Sequence, residues 1–356
     1  MEFLPTLWFV LIMVLWSGYL FLDGFDLGVG MNMSFAARTN KERRVLLNTI
    51  GPVWDGNEVW LITAIGAMFA AMPNWYAAAL SAMYLPFLFI LVGLIFRATG
   101  IEYRGKVDSE RWRTVWTWAI SLGSLCAAFW IGVVLATMSW GLPLNENHDR
   151  VGGALAWVSW PGLLGGIAVV LFCLSQANAF LTLKTSGEVR AKYAGLFKKT
   201  ALLFGIPMIG WLIVVNAQPS HVLAWVMVAV GVLALAGAWI AARAGRDGWQ
   251  FAAHGVFLVA IMVGVGLAMF PMALPSTLDP AFGLTVNDAA AATYTLTFVT
   301  VAAAIGVPIV LVYQIWTYWV FRRRISTKSI PKAHPIVAAI KSKILIDPDA
   351  PRSNAS

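Results

Sequence analysis

The chain has 356 residues, of which 60% are hydrophobic and only 12% charged, against roughly 25% charged in a soluble domain. With a mean hydropathy of +0.75, this excludes an ordinary soluble globular protein and points to an all-α polytopic membrane protein. The net charge of +8 gives no reason to invoke nucleic acid, because the basic residues are placed as membrane topology requires.

The first apolar run, 6–33, is long enough to span, and no small-residue cleavage site follows it. It is therefore expected to stay as a helix rather than be removed as a signal peptide. Its second half contains Asp23-Gly24-Phe25-Asp26-Leu27-Gly28-Val29-Gly30. After a basic connection, Gly51-Pro52-Val53-Trp54-Asp55-Gly56-Asn57-Glu58-Val59-Trp60 opens a second run over 53–72. Seven further runs follow near 75–96, 115–139, 157–182, 199–217, 221–242, 249–271 and 293–321. Nine transmembrane helices are thus expected over 1–321, arranged as two four-helix bundles plus one peripheral helix. A basic cytoplasmic tail occupies 322–356.

Lys and Arg set the orientation. With nine crossings, every one of the 25 basic residues except Arg150 falls on one side of the membrane. The N-terminus is then outside and the C-terminus cytoplasmic.

Four carboxylates remain in or at the edge of the membrane: Asp23, Asp26, Asp55 and Glu58. Each pair is spaced i,i+3, on one face of its helix. Helix one runs inward, which puts Asp23 and Asp26 ~25–30 Å along it at ~1.5 Å per residue, in the cytoplasmic half. Helix two runs outward from there, so Asp55 and Glu58 lie in the same half. Ionisable groups in a spanning helix are costly and usually functional. Four acids near the cytoplasmic surface can take up protons by alternating charge states. The bland alternative is that they cap helix ends, Asp23 and Asp26 even closing helix one early at its glycines. Arg97, at the end of the third run, is the nearest counter-charge. Trp60 sits within a turn of the acids, whereas Trp112, Trp116, Trp157 and Trp160 fit the interfacial belts.

The four histidines offer no facing pair for a bis-histidine haem, and the two cysteines form no metal or haem-attachment motif. No metal site is read, and no redox centre is expected in this chain alone.

The chain resembles subunit II of the bacterial cytochrome bd quinol oxidases. The resemblance rests on DGFDLGVG at 23–30, GPVWDGNEVWLITA at 51–64, FRATGIEYR at 96–104, RWRTVWTW at 111–118, AMFPMALPST at 268–277 and YQIWTYWVF at 313–321. It covers nearly the whole chain in order. The connection Asn216–His221 is compact, where some members carry a longer insertion.

The resemblance implies a haem-free subunit of a multi-pass complex in the bacterial plasma membrane. Its partner would be cytochrome bd subunit I, holding haems b and d and the quinol-oxidation site. Quinol would reduce oxygen to water with protons from the cytoplasm, electrogenically and without pumping. Asp55 would lie on the proton path, with Glu58, Asp26 and Asp23 alongside. Trp60 would stand beside an apolar oxygen route, and Arg97 would contact subunit I. A structural quinone, lipids and a small accessory subunit are further partners that the resemblance allows. Two rival readings are a proton-coupled secondary transporter and a structural scaffold.

Overall fold

The computed structural model describes residues 2–217 and 220–329. The tail beyond 329, including Lys332, Lys341, Lys343 and Arg352, lies outside the described residues.

The first helix, α1 (Phe3–Phe35), runs unbroken through Gly24, Gly28 and Gly30, so the acids do not end it. A short helix, α2 (Asn40–Ile50), follows in the basic connection. Thr39 caps it by accepting from the Glu42 amide at 3.1 Å, the Thr-x-x-Glu signature of a helix start. Its Val45, Leu46 and Ile50 are buried while Lys41 and Asn48 face out. Hydropathy reading had passed over it because its apolar stripe is too narrow for a span.

The second predicted run is α3 (Trp54–Ala71). The third, 75–96, does not form as one helix: it is divided into α4 (Pro73–Ala82) and α5 (Tyr84–Tyr103). Proline explains both breaks. Pro73 opens α4 at its first position, where a missing N–H costs nothing. The Pro86 ring would strike the carbonyl four residues back, that of Ala82, where α4 stops. The spanning helix is consequently α5, and Arg97 lies inside it.

The remaining long helices are α6 (Glu110–Trp140), α7 (Trp160–Lys184), α8 (Gly187–Asn216), α9 (Val222–Arg243) and α10 (Asp247–Met269). Helices α6 and α8 begin ahead of their apolar runs, on polar first turns that hydropathy does not register. A small cap at the end where α1 begins comprises β1 (Met272–Leu274), β2 (Leu284–Thr285) and α11 (Val286–Ala289); the two strands pair antiparallel. The last helix is α12 (Thr293–Val320).

Eight helices among the described residues are long and apolar enough to cross a membrane. The one expected crossing not among them is α3, whose first two turns hold Asp55, Asn57 and Glu58. Helix α1 packs on α3, α6, α7 and α10, while α7 to α10 pack in succession and α10 returns to α7. Close approach sets these contacts, as is usual where lipid offers no hydrophobic drive. At the α5–α6 crossing, a Cβ on Gly123 would collide with the Gly93 carbonyl and the Arg97 amide.

Helix α12 stands apart. Only Leu296 along it is buried, and its outer face is a column of exposed Val, Ile, Tyr and Trp side chains. It is tied near its start by Trp8 Nε1 donating to Thr300 Oγ1 at 2.9 Å. Beyond its end, backbone hydrogen bonds join Ile325 to Lys184 and Ser186. There Arg324 and Arg190 both bind Asp247, each at 2.8 Å.

Candidate functional site

Three of the four acids, carried on α1 and α3, meet around an arginine from α5. Asp23 and Asp26 have no exposed surface, being on the face of α1 that packs on its neighbours. Arg97 enters from α5, also fully buried. It donates to Asp23 Oδ1 at 2.7 Å through Nη2 and to Glu58 Oε2 at 3.1 Å through Nη1. Its guanidinium also lies over the Trp54 ring, 5.8 Å from the centroid. Asp26 takes a different partner: Asn57 Nδ2 donates to its Oδ2 at 2.7 Å.

Glu58 is the intermediate member, with 18% of its side chain exposed. Asp55, one turn earlier on α3, is exposed, and no hydrogen bond to it is seen among the described residues. The four acids therefore form a graded series from the surface to the interior rather than one uniform cluster. Arg97 was expected to face a partner subunit; it has no surface to offer, and both its amino groups bind acids of this chain.

A fully buried arginine placed between two acids holds charge that would otherwise be intolerable in an apolar interior. The acids outnumber it: one guanidinium stands among three carboxyl groups and bonds two of them, Asp23 and Glu58, leaving Asp26 to Asn57. Asp23 Oδ2, Asp26 Oδ1 and Arg97 Nε are buried without a hydrogen-bond partner in the protein. Such atoms are where internal water or a transferable proton is most strongly stabilised.

Sequence reading missed Asn57 as a bonded member and gave no role to Gln314 and Tyr318. Both of these reach Asn57 from α12 at 2.9 Å. The signal was present, because Gln314 and Tyr318 are spaced i,i+4 and share one face in the second half of a helix that is otherwise apolar or aromatic there except for Thr317.

Trp60 lies one turn or less beyond Glu58, its ring laid on α1 where Gly18 has no side chain; a Cβ there would overlap the indole. It lines an apolar cleft of about 540 Å³ between α1 and α10, with Phe9, Met13, Phe21, Met262 and Phe270.

On the basic side, Arg104 donates to Thr117 at 2.9 Å and to Asn40 at 2.5 Å, pinning α2 to the end of α5. Burial, then the nearby Arg43 and Arg113, bring its guanidinium down to about 10, so it stays charged at neutral pH.

The buried His254 has both ring nitrogens engaged, Nδ1 with Gln176 at 2.5 Å and Nε2 with Ser175 at 3.0 Å. Its ring stacks on Phe172. His148 bonds the Phe282 carbonyl in a loop, and His221 precedes α9. Among the described residues, no three His, Cys, Asp or Glu side chains stand together as a metal site.

Residues 4–321 match the family model described as cytochrome bd terminal oxidase subunit II. The cytochrome bd ubiquinol oxidase subunit 2 of Bacillus subtilis is 37% identical over 333 residues, covering 92% of this chain and 98% of that protein. The cytochrome bd-I ubiquinol oxidase subunit 2 of Escherichia coli K12 is 33% identical over 372 residues, covering 93% and 97%. A chain of the bd oxidase structure from Geobacillus thermodenitrificans has the same fold, with a TM-score of 0.72 at 18% identity, covering 89% of this chain and 97% of that one.

Proposed function

The chain belongs to the cytochrome bd terminal oxidase subunit II family, and from that premise we propose that it is the haem-free subunit of a quinol oxidase reducing oxygen to water. Its partner is subunit I, which holds haems b and d and supplies the electron transfer. This chain contributes a proton path and an apolar oxygen route. The complex spans the bacterial plasma membrane many times, builds charge by drawing protons from the cytoplasm, and does not pump. Helix α3 is the ninth crossing, with the N-terminus outside; the placement of every basic residue but Arg150 supports that orientation.

The observation that carries the proton path is the gradient of exposure from Asp55 through Glu58 to Asp23 and Asp26 around Arg97. Asp55 takes a proton from water at the start of α3. Glu58, partly exposed and bound to Arg97, receives it a turn further in. Asp23 and Asp26 hold it in the interior, and Arg97 stabilises whichever neighbour is left ionised. A carboxylate is suited to this because its charged and neutral forms both find partners here. Oxygen, being apolar, enters by the cleft beside Trp60.

Replacing Asp55 by Asn tests the path. Oxygen uptake with quinol is expected to fall while haem content and subunit stoichiometry stay as in the wild type. Unchanged turnover would remove Asp55 from the path. Loss of the partner or its haems would favour a scaffold role. A secondary transporter needs acids free to bind a substrate near the midplane. Three of the four here are already committed to Arg97 and Asn57.

A further inference from the structure

The lower half of α12 meets the rest of the chain through few side chains, chiefly the Gln314 amide and Tyr318, whose ring packs on an apolar cluster while its hydroxyl bonds. Between 304 and 320, only Gln314, Thr317 and Tyr318 turn away from the exposed surface. The exposed residues between and around them are Val, Leu, Ile, Tyr and Trp. Gln314 Nε2 and the Tyr318 hydroxyl both donate to Asn57 Oδ1, each at 2.9 Å. The other end of the same amide, Nδ2, donates to Asp26 Oδ2 at 2.7 Å and weakly to the Leu22 carbonyl at 3.4 Å.

An amide has one accepting end and one donating end, and its direction is set by what surrounds it. The Leu22 carbonyl can only accept, so it fixes the nitrogen on the α1 side. The oxygen is left facing α12, where two donors meet it. Reversing the amide would set its oxygen against the Leu22 carbonyl, and would require Gln314 to turn its own amide over and the Tyr318 hydroxyl to accept instead of donate.

The geometry points to Gln314 and Tyr318 as positioning residues for the proton path: from α12 they lock Asn57 with its N–H toward Asp26. The inference rests on the proton-path reading and adds to it a dependence on the peripheral helix. Neither residue touches Asp26, so both act through Asn57. The charged and titratable groups facing Asp26 are Asp23 on its own helix, Glu58 from α3, Arg97 from α5 and Tyr318 from α12. Cys173 of α7 lies close to Asp23. All of these stay in place in the variants below except the Tyr318 hydroxyl.

The test uses the purified two-subunit complex carrying Tyr318→Phe, Gln314→Leu, both together, and Asn57→Leu. Each single α12 variant leaves one donor and is expected to lose less than about threefold in quinol-driven oxygen uptake. The double variant is expected to lose about tenfold, the size of effect a hydrogen bond to a charged group commands. Its pH dependence should be displaced in the same sense as that of Asn57→Leu. Adding the α12 changes to Asn57→Leu should cost nothing further, since the three act as one unit. Wild-type turnover with an unmoved pH profile in the double variant overturns the inference, as does full additivity with Asn57→Leu. Should the double variant fail to assemble, Tyr318→Phe decides: a loss of up to about threefold that disappears in the Asn57→Leu background supports the proposal, and no loss, or the same loss in both backgrounds, overturns it. Asp55→Asn separates the two claims. If it turns over normally, the proton path itself falls. If it is slow while the α12 variants are normal, only the positioning role falls.

Discussion

Arg97 is the residue on which the buried charge depends. Asp23 and Glu58 take one amino group each, so replacing Arg97 by Leu leaves one wholly buried carboxylate and one mostly buried without a cation. Removing one partner of a buried ion pair costs about 3–5 kcal/mol. Arg97→Leu is therefore expected to lower the thermal midpoint and yield of the assembled complex. Arg97→Lys keeps the charge but loses the fork that spans two acids, so it should assemble better than Arg97→Leu yet remain less stable than wild type. Differential scanning of the detergent-solubilised complex reads both. The acids themselves were legible in the sequence, because a carboxylate in an apolar run is conspicuous. Their unequal exposure was not: i,i+3 spacing puts Asp55 and Glu58 on one helix face, but only packing against α5 decides which of them meets Arg97.

Among the elements, long apolar runs were easily read and their interruptions were not. The break at Met83 depends on Pro86 meeting the Ala82 carbonyl, whereas hydropathy averages across both residues. The narrow stripe of α2 escaped for the opposite reason: too few apolar residues, held by a cap at Thr39. Helix α12 was recognised as a span, but its role at Asn57 lies in two polar residues that composition hides. Packing of α3 on α1 is similarly specific, since the Trp60 ring occupies the space that Gly18 leaves. Gly18→Val would push the indole off α1 and distort the cleft that Trp60 lines. The expected outcome is a raised KM for oxygen with kcat at saturating oxygen little changed, measured with an oxygen electrode. An unaltered KM would place the oxygen route elsewhere.

Over the whole molecule, the charged groups are sorted by depth. Among the described residues, basic side chains other than Arg150 gather at the end where α1 finishes, and Arg97 is wholly buried as partner to acids from two other helices. The buried pair joins residues 74 positions apart, and that separation bears on how the protein is made. When α1 first emerges from the translocation machinery, Asp23 and Asp26 have no counter-charge, and a carboxylate in a lone spanning helix costs at most about 2.5–3.5 kcal/mol, the figure for its centre. The first helix is thus a poor membrane passenger until α5 delivers its arginine. Nascent chains truncated after Met83 should remain loosely inserted, extractable by alkaline carbonate and quickly degraded, whereas those truncated after Gly141 should resist both. Equal retention of the two in a pulse-chase experiment would mean that α1 finds another partner during synthesis.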